Sequence, residues 1–193
     1  MDVYSNDEKS YLIDLAKTAI YTGEIKSIIQ SVNLEKISSN LKKERSVFVT
    51  IYKNGGLRGC IGYILPVIPL YNAVIENAYN AAYKDPRFLP LKKEEVKELD
   101  VEISVLTLPQ KLNYDDSKDL LDKLEPLKDG VIIRKGFSSA TFLPQVWEQL
   151  LEKKDFLSHL CLKAGLPKDE WEKGKLDIEL YRAIVFGEKR KNK

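Results

Sequence analysis

The sequence is poor in the side chains that most often bind metal ions or carry out redox chemistry. Its 193 residues include two cysteines, Cys60 and Cys161, and a single histidine, His159. The sequence contains no Cys-x-x-Cys pair. A zinc site commonly takes four ligands from cysteine, histidine and carboxylates, so a site here would need carboxylates recruited from elsewhere in the chain. We therefore expect no metal ion and no cofactor.

The chain also lacks an excess of charge of either sign and a long apolar run. Lysine and arginine number 31 against 29 acidic residues, and a formal charge of +2 is too small to indicate nucleic acid or a membrane as a partner. The basic cluster at residues 189–193 is explained more simply as a solvated tail. The first eight residues are acidic, unlike a signal peptide, and no apolar stretch approaches a membrane span. We predict a cytoplasmic protein with reduced cysteines, although one intramolecular disulfide is possible.

The chain has apolar and charged residues in the proportions of a globular protein, 44% and 31%. Its length allows one large domain or two small ones. Because the sequence contains no flexible linker or internal repeat, we expect a single domain over residues 1–193. Two hairpins with separate helices, rather than regular βαβ alternation, predict an α+β fold with a mainly antiparallel sheet and flanking helices.

Local patterns predict the order of the elements. A capping box at Ser5 and Glu8 predicts a first helix that ends at Gly23, and Asp155 is expected to cap a helix near the end of the chain. The other expected helices are a short one after residue 24, one at 70–83, a connector at 92–98, a short one within 115–126 and one beginning at Pro144. The expected strands are 46–52, 57–63, 99–106, 130–135, 140–143 and 176–188.

Four glycines, an arginine and a cysteine fall within residues 54–62. Asn54-Gly55 can supply the two positive-φ residues of a type I′ turn, so residues 57–63 are expected to return beside strand 46–52. Arg58 and Cys60 are two residues apart on the returning strand, which predicts that they share one face with Cβ atoms about 7 Å apart. A guanidinium in that position can favour the thiolate form of Cys60.

Gly59 and Gly62 indicate either a bulge or a place where a ligand approaches the backbone closely. Exposed amide groups beside a thiolate would suit an anion or a developing oxyanion. The structural alternative is that Cys60 is a small buried hydrophobe and the glycines only shape the hairpin. Spacing alone leaves both interpretations open.

Three further charged residues are candidate ligand contacts. Asp85 and Arg87 lie in a loop where Pro86 ends the preceding helix. Loops carry function disproportionately, but an ordinary surface ion pair is the simpler explanation for these two residues. Glu102 lies on the polar face of strand 99–106, and it is a candidate acid or base only if that face lines a cleft.

The helix after residue 155 indicates the roles of the second cysteine and the histidine. At about 100° per residue, Cys161 falls on the apolar stripe with Phe156, Leu157 and Leu160, and His159 points away from it. We therefore predict that Cys161 is a core residue and that His159 is partly exposed. His159 is the one possible partner for a Cys–His dyad with Cys60, but nothing in the local sequence supports that pairing.

The run Leu57-Arg58-Gly59-Cys60-Ile61-Gly62 is followed in order by Asp85-x-Arg87-Phe88, Ile103-Ser104-Val105-Leu106 and Thr141-Phe142-Leu143-Pro144-Gln145-Val146-Trp147. In these segments the chain resembles the AMMECR domain family over nearly its whole length, and the six-residue motif is the specific part. The resemblance implies a compact α+β protein of two unequal, intertwined lobes, with the arginine–cysteine motif near the cleft between them. It also implies a family of unassigned activity, for which enzymatic and nucleic-acid-related or regulatory roles have been suggested.

Two hypotheses about function follow. The first is an enzyme or ligand-binding protein that acts on a small anionic substrate, with Cys60 and Arg58 as catalytic residues. Its expected ligand contacts are Gly59, Gly62, Asp85, Arg87 and Glu102. The alternative is a non-catalytic regulatory module that binds nucleic acid or a protein partner. The sequence does not decide whether the protein is an enzyme, nor its oligomeric state.

Overall fold

The computed structural model describes residues 4–188, which form two compact units. The first unit contains the described residues up to Thr107 together with those from Ile184 onward, and the second unit is Leu108–Ala183. The chain therefore leaves the first unit once and returns to it. Whether the whole chain behaves as a single domain with a cleft stays a prediction.

The first unit is built from helices packed on antiparallel strands. Its elements are helices α1 (Asn6–Thr22), α2 (Ile25–Ser31), α3 (Ser39–Lys42) and α4 (Leu70–Tyr83), a 3-10 helix (Lys93–Glu98), and strands β1 (Val47–Lys53), β2 (Gly56–Gly62) and β3 (Leu99–Leu106). The strand order is β2-β1-β3, and β3 is followed by the last strand of the chain. Strand β2 therefore forms an edge of this sheet.

Local chemistry sets the ends of α1 and the turn of the first hairpin. Ser5 and Glu8 form the predicted capping box, and Gly23 ends α1 in the left-handed conformation with φ of 69°. Asn54 and Gly55 join β1 to β2 with φ values of 51° and 79°, the pair of positive angles that a type I′ turn needs. Both local predictions are confirmed.

The core of the first unit lies between helix α4 and one face of β1 and β3. Val47, Val49 and Ile51 alternate along β1 and are fully buried, as the period of a strand requires. Helix α4 faces them with small residues such as Ala78 and Ala81, which allow the helix backbone to approach the sheet closely. The opposite face of β1 carries Phe48, Thr50 and Tyr52 by the same alternation.

The second unit has its own sheet and core. Its elements are strands β4 (Gln110–Lys111), β5 (Asp129–Lys135) and β6 (Ser138–Phe142), helices α5 (Ser117–Lys123) and α6 (Lys153–Lys163), and 3-10 helices Pro144–Glu148 and Glu170–Lys173. Strand β7 (Asp177–Gly187) pairs with β5 and β4 here, and its last residues belong to the first unit. The ring of Trp147 stacks on that of Phe156 at 3.6 Å between centroids, and its Nε1 donates to the carbonyl of Asp129 at 2.7 Å.

The predicted fold class, α+β with a mainly antiparallel sheet and flanking helices, is confirmed. Cys161 is fully buried in the second core and His159 is exposed, as predicted. The predicted cap at Asp155 is wrong, because α6 begins at Lys153 and its N-cap is Glu152. The basic cluster at 189–193 lies outside the described residues. Among residues 4–188, no helix is both long and apolar enough to cross a membrane.

Candidate functional site

Cys60 lies on the edge strand β2 directly opposite Thr50 of β1. The backbone N–H of Cys60 donates to Asp85 Oδ2 at 2.9 Å, so this residue directs its backbone groups away from β1. Thr50 and Cys60 are therefore a non-hydrogen-bonded antiparallel pair, the kind in which opposite side chains come closest. Consistent with that geometry, the Thr50 hydroxyl donates to Cys60 Sγ at 3.3 Å.

Asp85 and Arg87 cover the outer edge of β2 at Cys60. Asp85 accepts the N–H of Cys60, and Arg87 Nη2 donates to the Cys60 carbonyl at 3.1 Å. These are the two backbone groups that a further strand would have paired with, and side chains of the loop after α4 satisfy them instead. The loop therefore fastens the end of α4 to β2.

The Asp85 carboxylate is almost completely enclosed, with 1% of its side chain exposed. It accepts the N–H of Arg87 at 3.1 Å, Arg87 Nε at 2.9 Å and Arg87 Nη2 at 2.7 Å, besides the N–H of Cys60. The bonds from Arg87 and the Cys60 amide hold the pKa of Asp85 well below its usual range, despite the opposing effect of burial. Asp85 therefore stays charged at neutral pH and has no accessible surface to offer a ligand.

Arg87 has a different exposure, with 54% of its side chain in solvent. The Asp85 carboxylate is the main cause that raises the pKa of Arg87, and Cys60 adds a smaller contribution in the same direction. Nε and Nη2 are occupied by Asp85 and the Cys60 carbonyl, whereas Nη1 donates to no protein group within residues 4–188. The guanidinium is thus held in place beside Cys60, and its Nη1 end is open.

Arg58 is bound elsewhere. Its Nε and Nη2 donate to the two carboxylate oxygens of Glu95 at 3.2 Å each, and its guanidinium lies 5.9 Å from the ring centroid of Phe88. Only 16% of the Arg58 side chain is exposed. The bidentate bond from Arg58, with smaller help from the N–H of Lys92 and from Lys53, lowers the pKa of Glu95 to about 2. Arg58 therefore has its charge already paired.

An irregularity in β2 explains why Arg58 and Cys60 have separate partners. Ile51 pairs with Gly59 and the next residue, Tyr52, pairs with Leu57, so Arg58 is left without a partner in β1. Such a bulge interrupts the alternation of side chains from one face to the other. The sequence-based expectation that Arg58 and Cys60 share a face assumed uninterrupted alternation, which this register does not have.

Close packing explains the two glycines of the motif. A Cβ atom at Gly59 would overlap the carbonyl oxygen of Ala81 on α4, and one at Gly62 would overlap the ring of Phe48. The amide of Cys60 is already taken by Asp85, so it is not the free oxyanion donor that the glycine spacing suggested. The predicted role of Gly59 and Gly62 as ligand contacts stays a prediction.

Glu102 on β3 lies in the same cross-strand row as Cys60, and Thr50 on β1 lies between them. Thr50 pairs with Cys60 on one side and with Glu102 on the other. Neighbouring strands are about 4.8 Å apart, so the backbone of Glu102 is roughly 10 Å from that of Cys60. Tyr52 donates its hydroxyl to Glu102 Oε1 at 3.3 Å. Thr50 thus separates the carboxylate from the thiol.

Two residues of this region were not predicted from the sequence. Thr50 shares the parity of Phe48 and Tyr52 on β1, and its opposition to Cys60 follows once the hairpin register is known. Glu95 is 37 residues from Arg58, and no local pattern connects the two.

A separate cavity of about 900 Å³ opens at the start of α1 and contains none of the predicted site residues. The Glu8 carboxylate in its wall is occupied by the N–H of Ser5 at 2.8 Å and the hydroxyl of Ser38 at 2.5 Å. We assign this cavity no function.

Comparison with known proteins places this chain in a family. The family model described as AMMECR1 matches residues 13–186. A protein of Methanopyrus kandleri named MK0488 is 40% identical over 192 residues, which cover 94% of this chain and 89% of the relative. A protein of Methanothermobacter thermautotrophicus is 39% identical over 188 residues, covering 95% of this chain and 96% of the relative.

A solved structure agrees with these relatives. The crystal structure of the uncharacterized protein PH0010 from Pyrococcus horikoshii matches with a TM-score of 0.78 and 33% identity, over 96% of this chain and 93% of that one. The fold and these relatives define an α+β protein of unassigned activity. The chain belongs to the AMMECR1 family.

Proposed function

We propose that this protein binds a small anionic ligand at Arg87, in contact with the thiol of Cys60. The observation that carries the proposal is the state of the Arg87 guanidinium. It is fixed by Asp85 and the Cys60 carbonyl, more than half exposed, and open at Nη1. A planar guanidinium held in advance loses little conformational freedom when it binds a carboxylate or phosphate.

We assign the anion-binding role to Arg87 rather than to Arg58. Both arginines bind a carboxylate through Nε and Nη2, but 16% of the Arg58 side chain is exposed against 54% of Arg87, so an anion reaches Arg87 far more easily. At Arg87 the Asp85 carboxylate binds the Nε and Nη2 edge of the guanidinium, and an incoming anion meets the N–H groups of Nη1. In this proposal Arg58 and Glu95 hold the end of the hairpin, and Asp85 positions Arg87.

Catalysis by Cys60 is a second candidate function, and one observation favours it. The hydroxyl of Thr50 donates to Sγ, and the cationic Arg87 lies beside the same residue. A hydroxyl donor to sulfur and a neighbouring guanidinium are features that accompany nucleophilic cysteines. Glu102 is then the carboxylate best placed in the sheet to contact the far end of a ligand.

Protection of Cys60 from alkylation tests the proposed binding site. Iodoacetamide modification of Cys60 is followed by mass spectrometry with and without orthophosphate at constant ionic strength, with succinate as a second probe. We expect at least one of the two anions at millimolar concentration to slow alkylation of Cys60 by about fivefold or more. Arg87→Gln should abolish the protection. Arg87→Lys should retain part of it, because lysine keeps the positive charge but lacks the paired, coplanar N–H donors of a guanidinium.

Arg134→Gln is the matched control, since Arg134 is also a half-exposed arginine with one carboxylate partner. Protection that is equal in Arg87→Gln and the unmodified protein would contradict the proposal. If neither anion protects Cys60 but a single-stranded oligonucleotide does, with an affinity that falls steeply with salt, the regulatory nucleic-acid alternative is supported instead.

A further inference from the structure

We propose that Thr50 is a positioning residue for Cys60, and that its hydroxyl sets how the reactivity of the thiol depends on pH. This inference rests on the proposed function, because it concerns the same thiol. The observation behind it is the 3.3 Å bond from Thr50 Oγ1 to Cys60 Sγ across a non-hydrogen-bonded pair of the hairpin.

Both ends of this contact are held by the surrounding structure. Thr50 is buried, with 8% of its surface exposed, on the strand between β2 and β3. Asp85 and Arg87 bind the N–H and the carbonyl of Cys60 from the other side. A β-branched side chain on a strand has few rotamers, so the hydroxyl is presented to sulfur at little entropic cost.

Charged groups face Cys60 from each neighbouring element. The loop after α4 brings the cationic Arg87 and the enclosed carboxylate of Asp85, and β3 brings Glu102 in the row beyond Thr50. Two residues along β2, Arg58 is neutralised by Glu95. Substitution of Thr50 by an isosteric residue leaves all of these charges in place, so a change in reactivity reports the hydroxyl itself.

Alkylation with iodoacetamide provides the measurement. The thiol proton goes to solvent, the sulfur electron pair forms a bond to the methylene carbon, and iodide leaves with the carbon–iodine pair. A donated hydrogen bond increases the fraction of thiolate but makes each thiolate less nucleophilic, with a Brønsted slope of about 0.4–0.5. If Thr50→Val reduces the thiolate fraction tenfold, each thiolate gains about threefold in nucleophilicity, and the net rate at pH 7 falls roughly threefold.

The pH–rate profiles should therefore cross. Thr50→Val is expected to be about threefold slower than the unmodified protein at pH 7 and about threefold faster on the high-pH plateau of the profile. Thr50→Ser keeps a hydroxyl and should stay within about twofold at both ends. Thr50→Ala serves as a second hydroxyl-free variant, and far-ultraviolet circular dichroism establishes that each variant is folded.

A loosened strand would raise the rate at every pH, so parallel profiles for Thr50→Val and Thr50→Ala would overturn the inference. Profiles of Thr50→Ser that follow those of Thr50→Val would overturn it as well. Anion protection of Cys60, measured in Thr50→Val, separates this inference from the binding proposal. Protection that persists while the profiles stay parallel refutes the role of Thr50 alone, and crossing profiles without protection refute anion binding alone.

Discussion

Replacement of Asp85 by alanine is the most informative perturbation of the hairpin. Asp85 lies with 1% of its side chain exposed and accepts four hydrogen bonds, from the N–H of Cys60 and from three N–H groups of Arg87. The substitution removes the acceptor of an edge-strand amide and frees the arginine. It therefore tests whether this loop fastens α4 to β2.

The cost can be estimated from what each donor does after the substitution. Loss of a partner for the enclosed Cys60 amide costs about 1–3 kcal/mol. The half-exposed Arg87 regains water, so its ion pair adds only about 0–1 kcal/mol. We expect Asp85→Ala to lower the free energy of unfolding by about 1–4 kcal/mol at pH 7, or Tm by roughly 2–16 °C for a chain of this size.

Hydrogen exchange at the Cys60 amide and far-ultraviolet circular dichroism are the appropriate assays. Fluorescence is less suitable for this purpose, because both tryptophans lie in the second unit. Asp177→Ala is the control, since that carboxylate is 73% exposed and the change should cost less than about 0.5 kcal/mol. Unaltered exchange of the Cys60 amide in Asp85→Ala, with stability within about 0.5 kcal/mol, would refute the reasoning.

The contribution of Asp85 to the free energy of unfolding depends on pH in a definite direction. Because the pKa of Asp85 is lowered in the folded protein, its contribution is fully present above the ordinary aspartate pKa of about 3.9. The contribution is lost as the pH falls from there through the lowered folded-state value. The difference in stability between the unmodified protein and Asp85→Ala should therefore be constant from pH 7 to 5 and shrink below about pH 4.

Two further predictions concern the same hairpin. Gly59→Ala should lower the free energy of unfolding by about 3 kcal/mol or more, because its Cβ would overlap the carbonyl oxygen of Ala81 on α4. Gly56→Ala on the same strand is the control, since its Cβ would meet its nearest atom at 3.5 Å and the loss should be no more than about 1 kcal/mol. Urea unfolding measures both losses, and equal losses would contradict the prediction. Glu95→Gln should lower the free energy of unfolding by about 1–2 kcal/mol at pH 7, because it removes the carboxylate that binds Arg58. The pKa of Glu95 is lowered to about 2, so the contribution of this carboxylate is lost between about pH 4.5 and 2, and the variant should lose less stability than the unmodified protein over that range. Thermal melts across this pH range measure the effect, and an unchanged pH dependence would count against the Arg58 pairing.

The sequence was sufficient for elements whose ends are set by local chemistry. The helix predicted at 70–83 and the strand predicted at 99–106 have those bounds in the structure, and the Asn54-Gly55 turn has its two positive φ angles. Apolar periodicity, a proline after the helix and a hairpin dipeptide act within a few residues of one another. The same short-range logic identified Cys161 as a core residue.

The contacts of the site depend on residues far apart in the chain, and they were not predictable in this way. The bulge at Arg58 breaks the two-residue alternation on which its predicted face depended. Its partner Glu95 and the Asp85 acceptor of the Cys60 amide come from segments 37 and 25 residues away. The residue types indicated which side chains could take part in a site. Their partners followed only from the contacts that the loop after α4 and the 3-10 helix Lys93–Glu98 make with β2.

Titration of the protein with orthophosphate, followed by nuclear magnetic resonance of the Arg87 side-chain Nε–H and the Cys60 amide, tests the central claim most directly. At constant ionic strength, we expect saturable shifts of both signals in the unmodified protein and loss of the Cys60 shift in Arg87→Gln. The Arg58 Nε–H, bound to Glu95, should not respond. Shifts that appear at Arg58 but not at Arg87, or an unsaturated linear drift of every basic residue, would contradict it.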